Sequence, residues 1–318
     1  MFFFFTGKIS LRTFSPSWGY DKMSLMEESM KLCSIASGSS GNCVYVETEK
    51  THLLVDAGYS GRQIMGLMEE AGLSPRKLDG IFVTHEHADH IKGVGVLSRR
   101  FKIPIFANRE TWKAMERKIG RIAPSYHKVF DCNHPFPFGD LLVHPFCIHH
   151  DAENPVGYTF RSGKEKVTVL TDTGYIDERM METIRGSQIY YLEANHDVEM
   201  LLHGPYPEML KERILSTKGH LSNAQCGRAL TDLLCGEDEV VLLAHMSIEN
   251  NEARLCERTV KNILMKQGLD TARKIRVQVA PRFEPSGIFS CIYKKEEEEP
   301  PNRGLGLRQE SFFMEDEE

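Results

Sequence analysis

The chain has 318 residues, 41% hydrophobic and 26% charged, an ordinary globular composition, with no apolar run near the roughly 18 residues of a membrane span. Its net charge of −6 is concentrated at one end: residues 296–318 hold nine acids and two bases, net −7, which leaves the rest at +1. A near-neutral body excludes a general basic coat for nucleic acid but leaves room for a local patch. The eight cysteines are scattered without a C-x-x-C pair, which reads as reduced thiols of a cytoplasmic protein and not as a disulfide framework.

Residues 1–29 mix Phe, Ser, Lys and Met without a sustained period and read as a disordered N-terminal extension. The run Phe2–Phe5 is too short for a secretion signal and no basic segment precedes it. Strand material begins near Met30. The runs Cys43–Glu47 and 52–56, either side of a short polar turn, predict a β-hairpin. Residues 61–71 place Ile64, Leu67, Met68 and Ala71 on one helical face. GIFVT at 80–84 is a buried strand, 102–107 another, and 111–118 a helix. Short apolar strands follow at 167–170, 188–192 and Val240–Ala244. Helices are expected at 222–234, with Ser222 as N-cap, and at 252–267. From residue 294 the acids, prolines and glycines predict a disordered acidic tail. Residues 30–293 therefore form one layered α/β or α+β domain with sheets packed between helices.

The strongest chemical signal is T-H-E-H-A-D-H at 84–90, directly after a strand. Imidazole and carboxylate are ligands for divalent first-row metals. In a loop, His85 and His87 can point one way and Asp89 and His90 the other, so one segment can serve two ions. Four further signals follow. C-I-H-H-D-A-E-N-P-V-G-Y-T-F offers His149 and His150. V-T-V-L-T-D-T-G offers Asp172, E-V-V-L-L-A-H-M-S offers His245, and K-G-H-L-S-N places His220 just before a helix.

In these residues the sequence resembles the metallo-β-lactamase superfamily, whose signature is H-x-H-x-D-H, over roughly 30–291. The resemblance implies a four-layer αββα sandwich holding two metal ions, zinc or manganese with iron as a third option. It implies His85 and His87 on one ion, Asp89 and His90 on the other, His150 and His245 as later ligands, and Asp172 as the bridge. His150 is favoured over His149 by its place before P-V-G-Y-T-F. The flavodiiron branch has Glu where His87 stands. His220 resembles the histidine of the phosphodiesterase branch that contacts the scissile phosphate or protonates the leaving oxygen.

With S-I-A-S-G-S-S-G-N at 34–42 and L-E-A-N-H-D at 192–197, the set resembles the YycJ/WalJ family. That resemblance implies a 5′→3′ exonuclease acting on DNA and a functional link to a cell-wall two-component system. In the mechanism it implies, a metal-activated hydroxide oriented by Asp89 attacks phosphorus, with no membrane partner. Ser40, Asn42 and His196 are expected at the substrate, and Asp56 is expected to prop the metal loop. Two other readings remain at this point: hydrolysis of a small phosphodiester or thioester, and a non-catalytic metal-bound regulator. Trp18 and Trp112 form no aromatic series, so no stacking platform is visible.

Overall fold

The computed structural model describes residues 29–291. The expectations for the N-terminal extension up to residue 28 and for the acidic tail lie outside the described residues.

The chain builds one seven-stranded sheet, then a second, then returns to the first. The first holds β1 (Lys31–Ala36), β2 (Cys43–Glu47), β3 (His52–Val55), β4 (Gly80–Phe82), β5 (Ile105–Asn108) and β6 (His127–Phe130) in sequence order. The second holds β7 (Phe136–Phe138), β8 (Leu141–Cys147), β9 (Val156–Ser162), β10 (Glu165–Leu170), β11 (Ile189–Glu193), β12 (Val240–Ala244) and β13 (Arg276–Val279), again in order. The final strand, β14 (Phe289–Ser290), pairs antiparallel with β1. In each sheet an antiparallel part gives way to a parallel run, β3 to β6 and β10 to β13.

Strand side chains alternate between faces, so a strand buried on both sides is apolar at nearly every position. In β11, Ile189 and Tyr191 enter the core between the sheets, while Tyr190 and Leu192 enter the core on the outer face. In β12, Val240, Leu242 and Ala244 face inward, and Val241 and Leu243 outward. In β2 and β3, Val44, Val46, Leu53 and Val55 meet them from the first sheet. The outer face of the first sheet is covered by α1 (Gly61–Glu70), then, beyond the single turn α2 (Ala88–Ile91), by α3 (Val94–Phe101) and α4 (Arg109–Ile119). The second sheet is covered by α5 (Glu178–Ile184) and, beyond α6 (Val198–His203) and α7 (Glu208–Leu215), by α8 (Asn223–Leu233) and α9 (Ala253–Lys266). This is the expected αββα sandwich. No helix among the described residues is long and apolar enough to cross a membrane.

Local chemistry explains the boundaries. Ser222 caps α8 and Gln225 reaches back to it, a reciprocal pair that satisfies two otherwise orphaned donors. The strand expected from residue 102 starts only at Ile105, because Lys102 ends α3 in a left-handed turn with φ 60°. The expectation of thiols throughout is corrected at one place: Cys132, just beyond β6, and Cys147, the last residue of β8, form a disulfide. Asn133 brings the two segments together, donating its N–H to the Pro145 carbonyl at 2.8 Å and accepting from the Cys147 N–H at 3.2 Å. Six cysteines remain free.

One close backbone approach ties the fold to the loop at 85–90. The Gly58 N–H donates to the Asn42 carbonyl, and the Asn42 N–H to the Asp89 carbonyl, each at 2.8 Å. A Cβ on Gly58 would lie 1.7 Å from that Asp89 oxygen. Gly58→Ala is therefore expected to lower the melting temperature by roughly 2–12 °C, given about 1–3 kcal/mol for overpacking and about 2–4 °C per kcal/mol in a domain of this size. A thermal melt with an unchanged midpoint would show that the loop moves aside freely.

Candidate metal centre

The carboxyl ends of neighbouring parallel strands meet at one edge of a sheet, where loops can converge on a ligand. Asp56 follows β3, Thr84 and His85 follow β4, Asp172 follows β10, Glu193 ends β11 and His245 follows β12. Asp56, Asp172 and His245 adopt positive φ of 61°, 60° and 52°. Such residues cost about 1–3 kcal/mol each and persist where surrounding structure enforces them. Three strand exits thus turn sharply at the same edge.

The donor atoms of His85, His87 and His150 lie within 4.8 Å of one another, and so do those of Asp89, His90 and His245. His85 and His87, expected together, thus lie with His150, and Asp89 and His90 lie with His245, gathered from segments far apart in the chain. Asp172 joins them: it clusters with His85 and His90 and also with Glu193, His220 and His245. Its Oδ2 lies 3.0 Å from His90 Nε2 and its Oδ1 3.0 Å from His245 Nδ1.

The supporting bonds orient the rings. Asp56 Oδ2 accepts from His90 Nδ1 at 2.7 Å and from the Thr84 hydroxyl at 2.7 Å, and Oδ1 accepts from the Thr84 N–H at 2.8 Å. His150 Nδ1 donates to the carbonyls of Lys218 and Gly219 at 3.1 and 3.3 Å. His245 Nδ1 donates to Glu193 Oε1 at 3.0 Å. Each bond orients its ring through Nδ1 and leaves Nε2 turned to the site, the usual arrangement behind a metal-bound histidine. His245 Nε2 is buried and makes no hydrogen bond, and Asp172 Oδ2 has only the His90 ring at 3.0 Å. Buried polar atoms are normally satisfied, so this pair marks a place for a cation.

The charge states agree. Burial, reinforced by His90, holds the His85 imidazole well below its ordinary value, and burial lowers His150 too. Burial alone would raise Asp172, but His245 and His90 outweigh it and hold the carboxyl well below the carboxylate range. Burial likewise acts against Glu193, yet His220 and His245 pull it down to about 2. Burial lowers His245, but Asp172, Asp89 and Glu193 outweigh it and raise it to about 10. Ionised carboxylates and neutral imidazoles are the forms that bind metal, so a cation must displace the protons that, against burial, Asp172 and the neighbouring carboxylates hold on His90 and His245. The donor set fits divalent metal.

Not every expected residue touches the open side. Asn42 is buried: its Oδ1 accepts from the Gly38 N–H at 2.9 Å and its Nδ2 lies 3.1 Å from His90 Nε2 and 3.4 Å from Asp89 Oδ2. It orders the 38–42 turn against the Asp89 loop. Ser40 is exposed on that turn. His196 is 1% exposed, outside all four donor clusters, and burial lowers its imidazole to about 4. His220 sits at the edge, with Nδ1 2.7 Å from Glu193 Oε1. It lines a pocket of about 200 Å³ with Ser39, Asn195, Tyr206, Arg213 and Ser247. A larger cavity of about 710 Å³, lined by Arg62, Arg76 and Arg100, shares no residue with the donor clusters.

Glu193 was missed in the sequence. It is fully buried, its Oε1 accepts from His220 and His245, and its Oε2 accepts from the Thr173 and Leu221 N–H groups at 2.9 and 3.2 Å. The available signal was an acid ending the apolar strand I-Y-Y-L-E, beside strands that exit into Asp172 and His245.

Asp56 offers a test of the support beneath the ligands. Asp56→Asn keeps the size and tolerates the left-handed backbone. It is expected to weaken divalent-metal affinity about 10–100-fold, the usual worth of a residue behind a ligand. Competition against a chelating dye measures this; unchanged affinity would mean His90 needs no such support.

Two face-to-face sheets with histidine and aspartate donors gathered at one edge are the metallo-β-lactamase arrangement. Residues 51–246 match the family described as beta-lactamase superfamily domain, and the chain belongs to this family of metal-dependent hydrolases. Within it, the chain is 42% identical over 254 residues to exodeoxyribonuclease YycJ of Bacillus anthracis, covering 80% of this chain and 96% of that protein. It is 41% identical over 255 residues to exodeoxyribonuclease WalJ of Streptococcus pneumoniae serotype 2, covering 80% and 95%. Among solved structures, the metallo-beta-lactamase fold protein YhfI from Bacillus subtilis aligns at TM-score 0.62 and 17% identity, over 81% of this chain and 98% of that one, a likeness of fold.

Proposed function

We propose that the protein is a dinuclear metal-dependent phosphodiesterase, a 5′→3′ exonuclease acting on DNA. The observation that carries this reading is the 41–42% identity, across 95–96% of their length, to proteins named exodeoxyribonucleases. His85, His87 and His150 would hold one ion, Asp89, His90 and His245 the other, with Asp172 shared. Zinc and manganese suit these donors, and iron is the third option. When bound, such ions lower the pKa of water and neutralise charge on phosphoryl oxygens. Asp89, whose side chain is 25% exposed, would orient the attacking oxygen. His220, held by Glu193, would steady the phosphate or protonate the leaving oxygen. A cytoplasmic setting belongs to this reading: six thiols are free among the described residues, beside one disulfide, Cys132–Cys147, that weighs against it. Digestion of 5′-end-labelled DNA and RNA by metal-loaded protein tests the reading. Mononucleotides released from the 5′ end of DNA are expected; intact DNA beside a hydrolysed small phosphodiester or thioester would overturn it.

A further inference from the structure

The neighbour of the expected ligand His150 is not idle. His149 stacks face to face on Tyr175, with ring centroids 4.0 Å apart and planes 9° from parallel. Asp177, the N-cap of α5, holds His149 Nε2 at 2.8 Å. Tyr175 stands 39% exposed. The pair is tied to the metal loops. The Gly174 N–H donates to the His149 carbonyl at 2.8 Å, the Thr173 hydroxyl donates to the Tyr175 carbonyl at 2.8 Å, and the Thr173 N–H donates to Glu193. One ring thus precedes His150 by a single residue, and the other follows Asp172 by three. Tyr175 also lines a cavity of about 270 Å³ with Gln225 and Arg228.

Every nucleobase has a π-face, so an aromatic ring held rigid beside a phosphodiester-cleaving centre binds a strand without regard to sequence. We propose that the Tyr175–His149 stack is a nucleobase platform for the strand entering the metal centre, with Arg228 across the cavity taking a backbone phosphate. The proposal rests on the nuclease reading and deepens it: the substrate presents an unpaired base at that point, as a single strand or a frayed end does.

The test pairs protein variants with oligonucleotides carrying one abasic site, moved stepwise from the 5′ end. In the metal-loaded wild type, one abasic position is expected to raise KM on the order of ten-fold, the usual worth of one stacked base. Tyr175→Leu should raise KM by a similar factor, leave kcat and bound metal unchanged, and show no further loss at that abasic position. Tyr175→Phe should behave as wild type, since the ring and not the hydroxyl stacks. Equal abasic penalties in wild type and Tyr175→Leu, or loss of metal from Tyr175→Leu, would overturn the platform. Should the wild type cleave no nucleic acid, the nuclease reading fails by itself. Fluorescence anisotropy on the same oligonucleotides then decides the platform: an abasic penalty confined to proteins with a ring at 175 supports it, and its absence overturns it.

Discussion

Asp172→Ala is expected to leave the centre without its metal and to lower kcat on the order of 10³-fold or more, since metal-ion catalysis contributes several kcal/mol and each 1.36 kcal/mol is ten-fold. The reason is position. Asp172 belongs to two donor clusters, and its two buried oxygens face His90 and His245 at 3.0 Å. Without it, the two halves of the site lose their shared anion. Asp172→Asn, nearly the same shape, separates the loss of a ligand from the loss of packing. Full metal content with retained activity in the alanine variant, measured by elemental analysis and by turnover, would remove Asp172 from the centre.

His220→Ala separates the reaction classes. His220 is partly exposed, lines the 200 Å³ pocket, and has its Nδ1 committed to Glu193. Its other nitrogen is then the one a substrate can meet. The variant is expected to keep its metals and to lose on the order of 10²–10⁴-fold in kcat, the usual contribution of a positioned acid or base. The fall should lie in kcat more than in KM, because the contact strengthens as charge develops on the leaving oxygen. It should shrink for a nitrophenyl ester, whose leaving group needs no proton. The donor atoms of His220 also fall within a potential ligand cluster, with Asp172, Glu193 and His245. Loss of metal from the variant would make it a ligand and end the acid–base assignment.

Much of this site could be read from the sequence because its donors are dense and follow strands. Three histidines and an aspartate within six residues have no packing explanation, and the apolar runs before Asp172 and His245 told which strand ends they occupy. Those runs are almost wholly apolar because both sheet faces are buried, Thr168 being the exception with its hydroxyl bonded to Ser187, which is also why the layered fold could be expected. What could not be read was direction. A glycine- and serine-rich turn suggested ligand contacts for Asn42 and Ser40, yet Asn42 turns inward, because hydrogen bonds to Gly38 and the Asp89 loop use its amide. His196 is expected at the site edge beside a strand end, but its backbone forms a short parallel bridge with Ser222 and its side chain is buried. Glu193 was passed over because one acid after an apolar strand is common; only the neighbouring strands make it significant. The Tyr175–His149 stack joins residues 26 positions apart, a distance at which local pattern carries no information. The Cys132–Cys147 pair, separated by 15 residues, has the same character.

The most direct test of the central claim is digestion of 5′-end-labelled DNA by the protein loaded with zinc or manganese, followed with and without a chelator. The account predicts labelled mononucleotide as the first product, abolished by the chelator and restored by added metal. DNA left intact by fully metal-loaded protein, or cut equally well after the metal has been removed, would contradict it.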